Sequence, residues 1–322
     1  MHPSFLPNLV DPKTGEPLRV ECRAAENGRV LEGLLISPSN SYPIVRGVPR
    51  FAGYQQQAYT RSFSYQWTKW SKVQFESENV GTTMAGHTKT MWEKITGVTA
   101  DDLKGQLIAD FGCGAGRFIE VVRMKKGRVI GLDLSDSVDS AAAHFRHDPD
   151  VLVCQADILN PPIRQASVDG AFSIGVLHHT PDPVRGFQQL ARVIKPGGWA
   201  AVAVYGKGGY YDFPTISLYR SLFRALWPIF RHYPPLLYSY FATFIVRPLC
   251  RGFIGKAVRT ILPFRDLPDS RWALLDTFDS VTPSYQSAHE SYEVFQWFKK
   301  TGFDHAEPSD WGFTAYHGIR AK

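Results

Sequence analysis

Three glycines and three aspartates carry the first chemical signal in this chain. Asp110-Phe-Gly112-Cys113-Gly114-Ala-Gly116 follows a short apolar run and opens a helical stretch. Glycines at such a turn let a ligand approach the backbone at the carboxyl edge of a sheet. Asp133 ends the next apolar run, 21 positions after Gly112, the spacing expected for a carboxylate that accepts from ribose hydroxyls. Asp157 follows a third run in Gln155-Ala-Asp157-Ile158, placed to accept from an adenine amino group while Ile158 packs on the ring. Adenosine is the implied ligand class.

The glycine spacing separates two adenosine cofactors. A dinucleotide presents a pyrophosphate and favours Gly-x-Gly-x-x-Gly after an uncharged strand end, whereas here Asp110 precedes Gly-x-Gly-x-Gly and would repel it. S-adenosylmethionine carries a sulfonium and an α-ammonium, which acidic and carbonyl oxygens attract. Asp110 itself has two readings, direct ligand contact or anchoring of the loop through backbone N–H groups; Cys113 reads as a small loop residue. His178, His179 and Tyr205, at the ends of the fourth and fifth runs, are candidates to take a proton from an acceptor. For the histidine pair, hydrogen bonding within the loop competes with that role. Tyr285 and His289 are weaker candidates of the same kind. Methyl transfer from a sulfonium is an in-line displacement that proximity and orientation can drive, so a dedicated base is not obligatory.

The elements that must hold these residues follow from hydrophobic periodicity. Residues 106–111, 128–133, 151–155, 169–174 and 199–204 are short apolar runs of the kind found in strands buried on both faces. Residues 117–125, 137–146 and 183–194 read as helices between them, and 291–300 as a further amphipathic helix stopped by Gly302, with two strands after it. Strand and helix alternating in this way predict a doubly wound, Rossmann-like α/β sheet.

Asp110 to Gly116, Gly131-Leu-Asp-Leu-Ser135, Gln155-Ala-Asp157, Ser173-Ile-Gly175-Val-Leu-His-His-Thr-Pro-Asp182 and Leu190 to Gly198 resemble, in order and spacing, the motifs of class I S-adenosylmethionine-dependent methyltransferases. The resemblance implies a seven-stranded sheet with an antiparallel last strand and S-adenosylmethionine as methyl donor. It implies cofactor contacts from Asp110, Gly112, Cys113, Gly114, Gly116, Asp133, Leu134, Asp157, Ile158, Ser173 and Gly175. The flanks Phe63-Ser-Tyr-Gln-Trp67 and Thr282-Pro-Ser-Tyr285 are similar to bacterial members that modify small molecules, glycans and lipids. Residues 1–55 resemble the small zinc-ribbon-like segment that precedes some of those enzymes. Asp11-Pro-Lys-Thr14 stands where a Cys-x-x-Cys pair would be, so the segment reads as metal-free.

The chain of 322 residues divides accordingly into 1–55, a helical cap over 56–104, a cofactor-binding core over 105–205, an insertion over 206–275 and a completion of the core over 276–322. The net charge of +6 resides in the insertion, which holds ten Lys/Arg against three Asp, with 15 aromatics and seven prolines. It reads as a mainly helical lid, and its uncharged stretch Tyr233–Val246 between Arg231 and Arg247 is compatible with peripheral contact at a membrane surface. No apolar run is long enough to cross a bilayer. Four scattered cysteines argue against a disulfide framework or a cysteine-built metal site and fit a reducing cytoplasm.

The sequence therefore points to a cytoplasmic methyltransferase acting on a small-molecule, glycan or lipid-like acceptor. RNA methyltransferase is the alternative, together with a catalytically silent partner subunit of the same fold. Nucleic acid is disfavoured as a partner because the basic residues sit among prolines and aromatics without a recognisable RNA-binding module. Asn160-Pro-Pro-Ile163 follows the third strand, not the fourth, and its fourth residue is not aromatic.

Overall fold

The computed structural model describes residues 1–52, 60–99, 103–250, 252–311 and 314–322, apart from the side chains of 252–254 and 256. The boundary expected between residues 55 and 56, where the helical cap starts, and Arg251 of the insertion lie outside the described residues.

The amino-terminal segment forms an antiparallel sheet of β1 (Arg19–Glu26), β2 (Arg29–Ile36), β3 (Ser41–Val45) and β4 (Val48–Pro49). Its two turns are tied by Asp11, which is fully buried. The carboxylate accepts from Lys13 N at 2.8 Å, Ser37 Oγ at 2.6 Å, Asn40 Nδ2 at 2.9 Å and Tyr42 Oη at 2.8 Å. Burial alone would raise its pKa, but these four bonds outweigh it and hold the carboxyl well below the usual range. Asp11 thus joins the turn that follows it to the connection between β2 and β3. Among the described residues no three His, Cys, Asp or Glu side chains assemble as a metal site.

Two helices, α1 (Arg61–Lys69) and α2 (His87–Thr96), lead into the body, where strands and helices alternate. In chain order these are β5 (Leu107–Phe111), α3 (Arg117–Met124), β6 (Arg128–Asp133), α4 (Ser137–His144), β7 (Val151–Gln155), β8 (Val168–Ile174), α5 (Pro183–Val193) and β9 (Ile194–Val204). The insertion supplies α6 (Pro214–Phe230), α7 (Tyr233–Phe241), α8 (Arg247–Leu249), α9 (Gly252–Arg259) and α10 (Ser270–Val281). The chain finishes with α11 (Ser291–Lys300), β10 (Phe303–Pro308) and β11 (Thr314–Arg320).

The seven strands order as β10-β11-β9-β8-β5-β6-β7, with β11 antiparallel to both neighbours and the five from β9 to β7 parallel. The sheet is a Rossmann-like doubly wound α/β sheet. Burial on both faces explains the continuous apolar runs: Leu107, Ala109 and Phe111 enter one core with Phe187, Leu190 and Phe298, while Ile108 enters the other with Phe118, Ile119 and Trp92. Connections leave β5 toward β6 and β8 toward β9, so strand order reverses between these neighbours. Their carboxyl ends border the crevice where such sheets bind ligands.

The insertion has a small core of its own, with Ala242, Val246 and Phe264 buried and Tyr238 donating to Pro263 O at 2.9 Å. Asp269 caps α10 by accepting from Arg271 N and Trp272 N. That helix runs through the boundary expected at Leu275, so core and insertion share it. The amino-terminal sheet docks on the carboxyl end of β7, where Arg50 Nη1 donates to Gln155 Oε1 at 3.0 Å and Phe51 N to Gln155 O at 2.8 Å. None of its described residues lines the cavity described next.

Candidate active site

The loop after β5 is built by its glycines. Gly112, Gly114 and Gly116 all have positive φ, and a Cβ on Gly112 would stand 2.4 Å from Val176 Cγ1. Gly112 N and Cys113 N donate to Leu132 O at 2.7 and 2.9 Å, folding the loop over the end of β6. A cavity of about 270 Å³ opens above it, lined by the loop, α1, the ends of β6 to β9 and α10.

The residues expected to meet an adenosine gather along one cavity. Asp133, Leu134, Asp157 and Ile158 line the cavity with Gly112, Cys113, Gly114 and Gly175. Asp133 is also a structural anchor, since Oδ2 accepts from Gly114 N at 2.9 Å and Oδ1 accepts from both Ser135 N and Ser135 Oγ. Burial raises its pKa against the pull of those bonds. With Oδ1 already accepting twice, Oδ2 keeps one acceptor position for a ribose hydroxyl. Asp157 Oδ1 accepts from Leu159 N at 2.9 Å, and burial raises its pKa too. Gly175, at φ +78°, has nothing within 4 Å of where a Cβ would stand, leaving a backbone cradle open to the cavity. Burial, reinforced by Asp110 and Asp133, pushes the Cys113 thiol far up, leaving it an inert wall.

Three expected cofactor contacts and one candidate base do not line the cavity. Ser173 is buried and its hydroxyl donates to Phe111 O at 2.8 Å, binding β8 to β5 beneath the cavity. Gly116 packs against Phe145 on the far side of the loop. Asp110 is 1% exposed and does not line the cavity; its Oδ2 has no hydrogen-bond partner among the described residues. Burial, with Asp133 adding to it, raises the Asp110 pKa well above the carboxylate range. His178 is fully buried behind Tyr205, ring centroids 3.7 Å apart, with both ring nitrogens unpartnered among the described residues. It has no route to an acceptor.

His179 differs from its neighbour. It lines the cavity, packed on Phe63 and Tyr205. Its Nδ1 lies 2.9 Å from Tyr285 O. A carbonyl only accepts, so Nδ1 carries the proton and Nε2, buried and without a hydrogen-bond partner among the described residues, presents a lone pair. Burial lowers the imidazole pKa to about 4, with the Tyr285 carbonyl opposing, so the ring is neutral at neutral pH. Tyr205 stacks on Tyr211 at 3.8 Å and 4°, and burial, then Tyr211, raise its pKa well above 10. The phenol stays protonated and serves as a wall and donor.

Sequence reasoning missed a charged group lining the cavity beside Tyr205 and Tyr211: Arg117, Arg265, Asp276 and Asp279, together with Gln74. Arg117, next to Gly116, was the one local signal available.

Residues 109–202 match the family described as "Methyltransferase domain". The chain carries a class I S-adenosylmethionine-dependent methyltransferase domain. It is 32% identical over 117 residues to "Probable tRNA methyltransferase 9B" of Mus musculus, covering 35% of this chain and 25% of that protein. It is also 32% identical over 117 residues to the Mus musculus "tRNA (carboxymethyluridine(34)-5-O)-methyltransferase ALKBH8", covering 35% and 17%. The chain thus spans a quarter or less of the length of these curated relatives. A solved "Complex between the Haloferax volcanii Trm112 methyltransferase activator and the putative methyltransferase" is similar at a TM-score of 0.47 and 16% identity, covering 81% of this chain and 98% of that one. The expectation that nucleic acid is disfavoured as a partner does not stand, because the methyltransferase segment is shared with proteins named for tRNA. The reason is physical: a nucleoside is recognised inside a pocket, and no separate RNA-binding module needs to be written in the sequence.

The residues present fit S-adenosylmethionine. The open cradle at Gly175, the acids at the ends of β6 and β7 and a net acidic lining suit an adenosine with a cationic tail.

Proposed function

We propose that this protein methylates a nucleoside of an RNA, using S-adenosylmethionine. The observation that carries the acceptor class is the shared methyltransferase segment of the relatives named for tRNA. The cavity is compatible with it. Its acceptor end is walled by Phe63, Tyr205 and Tyr211, aromatic faces on which an unstacked base can lie. The helix that supplies Phe63 carries exposed Arg61 and Lys69 at its two ends, suited to a phosphate backbone.

When bound, the cofactor supplies an electrophilic methyl group on a sulfonium. Asp133 and Asp157 hold the ribose and adenine, and the glycine loop gives them room. Tyr205 and Phe63 orient the acceptor and exclude water. His179 Nε2 accepts a hydrogen bond from the acceptor nucleophile and receives its proton.

The test is label transfer from methyl-tritiated S-adenosylmethionine to RNA isolated from cells lacking this gene, read as labelled nucleosides after nuclease digestion. The wild-type protein should label RNA and Asp133→Ala should not. Absence of label in RNA alongside label in an organic extract of the same cells would overturn the reading.

That second outcome has an observation in its favour. Twelve of the nineteen exposed large apolar side chains among the described residues lie between Leu218 and Ile261, far more than scattered surface exposure produces. On this reading the insertion meets a lipid-like acceptor at an interface. No helix among the described residues is long and apolar enough to cross a membrane.

A further inference from the structure

The charged group in the cavity has no role in the mechanism above. Asp276 and Asp279 stand three apart on α10 and so share a face, and both line the cavity opposite Arg117, the first residue of α3. Asp279 Oδ1 accepts from Gln66 Nε2 at 3.0 Å. Asp276 Oδ1 accepts a long bond from Gln74 Nε2 at 3.4 Å, and its Oδ2 lies 3.9 Å from Arg265 Nε. That Nε has no hydrogen-bond acceptor among the described residues.

Arg117 reaches no carboxylate. Its one hydrogen bond is donated to Gln74 Oε1 at 2.7 Å, and no acid lies within ion-pair distance of it among the described residues. A neutral amide therefore stands between a guanidinium and a carboxylate that would otherwise neutralise each other. Burial raises the pKa of both acids and lowers that of Arg117, the mark of charges removed from water without full compensation. A cavity in which Arg117 meets neither acid, and Arg265 stands only at the margin of ion-pair distance from Asp276, is complementary to a ligand bearing an anion and cationic groups.

The place of that ligand is set by the rest of the site. Asp157 and Asp133 mark the adenine and ribose, so the methionine tail must run along the glycine loop away from Asp157, and Arg117 directly follows that loop. We propose that α10 completes the cofactor site: Asp276 and Asp279 receive the α-ammonium and sulfonium of S-adenosylmethionine, and Arg117 receives its carboxylate. This rests on the cofactor reading and deepens it. Both acids lie just past Leu275, in the part of α10 that falls within the expected completion of the core. Because S-adenosylmethionine carries one more positive charge than S-adenosylhomocysteine, the two acids favour substrate over product.

Calorimetric titration of the full chain with S-adenosylmethionine, S-adenosylhomocysteine and 5′-methylthioadenosine, which lacks the amino-acid tail, tests the assignment. Asp279→Asn should weaken S-adenosylmethionine by about tenfold or more, S-adenosylhomocysteine by less, and 5′-methylthioadenosine by no more than about twofold. Arg117→Gln should weaken the two tailed ligands alike and spare 5′-methylthioadenosine. Equal weakening of all three ligands would overturn the proposal, as would unchanged affinity for S-adenosylmethionine with loss of methyl transfer, which would give the acids to the acceptor. If Asp279→Asn fails to fold, Asp276→Asn carries the same comparison. Failure of wild-type protein to bind any of the three would overturn the cofactor reading itself, a result distinct from failure of the α10 assignment.

Discussion

Acidification from about pH 7.5 to about pH 5 should cost this protein stability through His179. In the folded state burial against Phe63 and Tyr205 holds its imidazole at about 4, down from 6.5. The unfolded chain takes up the proton near 6.5. Between these values the unfolded state binds more protons, so stability rises with pH and is lost as acid is added. At 1.36 kcal/mol per pKa unit, one such group costs roughly 2 kcal/mol by about pH 5 and about 3.4 kcal/mol below about pH 4. Asp110, Asp276 and Asp279, whose pKa values burial raises, act in the opposite direction. A single pH profile would therefore mix signs. The discriminating measurement is a difference: urea unfolding of wild type and His179→Gln at both pH values. Glutamine does not titrate, and its own packing cost cancels in the comparison, so its penalty at about pH 5 should be roughly 2 kcal/mol smaller than that of wild type. Equal penalties would refute the neutral, buried imidazole and with it the lone pair assigned to Nε2.

Gly175→Ala should fold, because a Cβ there meets nothing within 4 Å, at a strain cost of about 1 kcal/mol for positive φ. Its affinity for S-adenosylmethionine should fall about tenfold or more in calorimetry; unchanged affinity would route the ligand elsewhere. Asp11→Ala leaves the buried Tyr42 hydroxyl without its acceptor, at about 1–3 kcal/mol, and removes the shorter acceptor of Ser37 Oγ and that of Asn40 Nδ2. Denaturant unfolding should show a loss of about 3 kcal/mol, and a loss below about 1 kcal/mol would refute the hub. Since the Asp11 pKa is depressed on folding, its contribution is present above about pH 4 and fades as pH falls further.

The parallel strands were legible because both faces are buried: Leu107 to Phe111 and Val151 to Gln155 are apolar without interruption and bounded by loops. That Asp133, Leu134, Asp157 and Ile158 share one cavity was legible because they recur at strand ends with fixed local spacing. The charged group was not, because its members lie on α3, α10 and the segment after α1. Gln66 meets Asp279, and Gln74 meets Asp276, across some 200 residues. In a helix such as α10, two acids three apart read as a solvated face until the fold turns that face inward. Ser173 and His178 failed for the opposite reason, since proximity in a motif does not say which way a side chain points. In a strand, successive residues face opposite sides, and the Ser173 hydroxyl turns down onto β5.

The sheet order has a consequence for how the molecule is made. β9 ends at Val204 and its partner β11 begins at Thr314, so about 110 residues must be synthesised between them. At ~5–20 residues per second, the nascent chain carries the unpaired edge of β9 for on the order of 5–20 s. During that interval Ala200 to Val204 present an uncharged ladder of open hydrogen-bonding groups, the type of edge that recruits strands from other chains. The helices of the insertion are built from local contacts and form quickly. The edge of β9 nevertheless closes only when β11 arrives, so truncating the chain before Thr314 should lower the yield of folded protein.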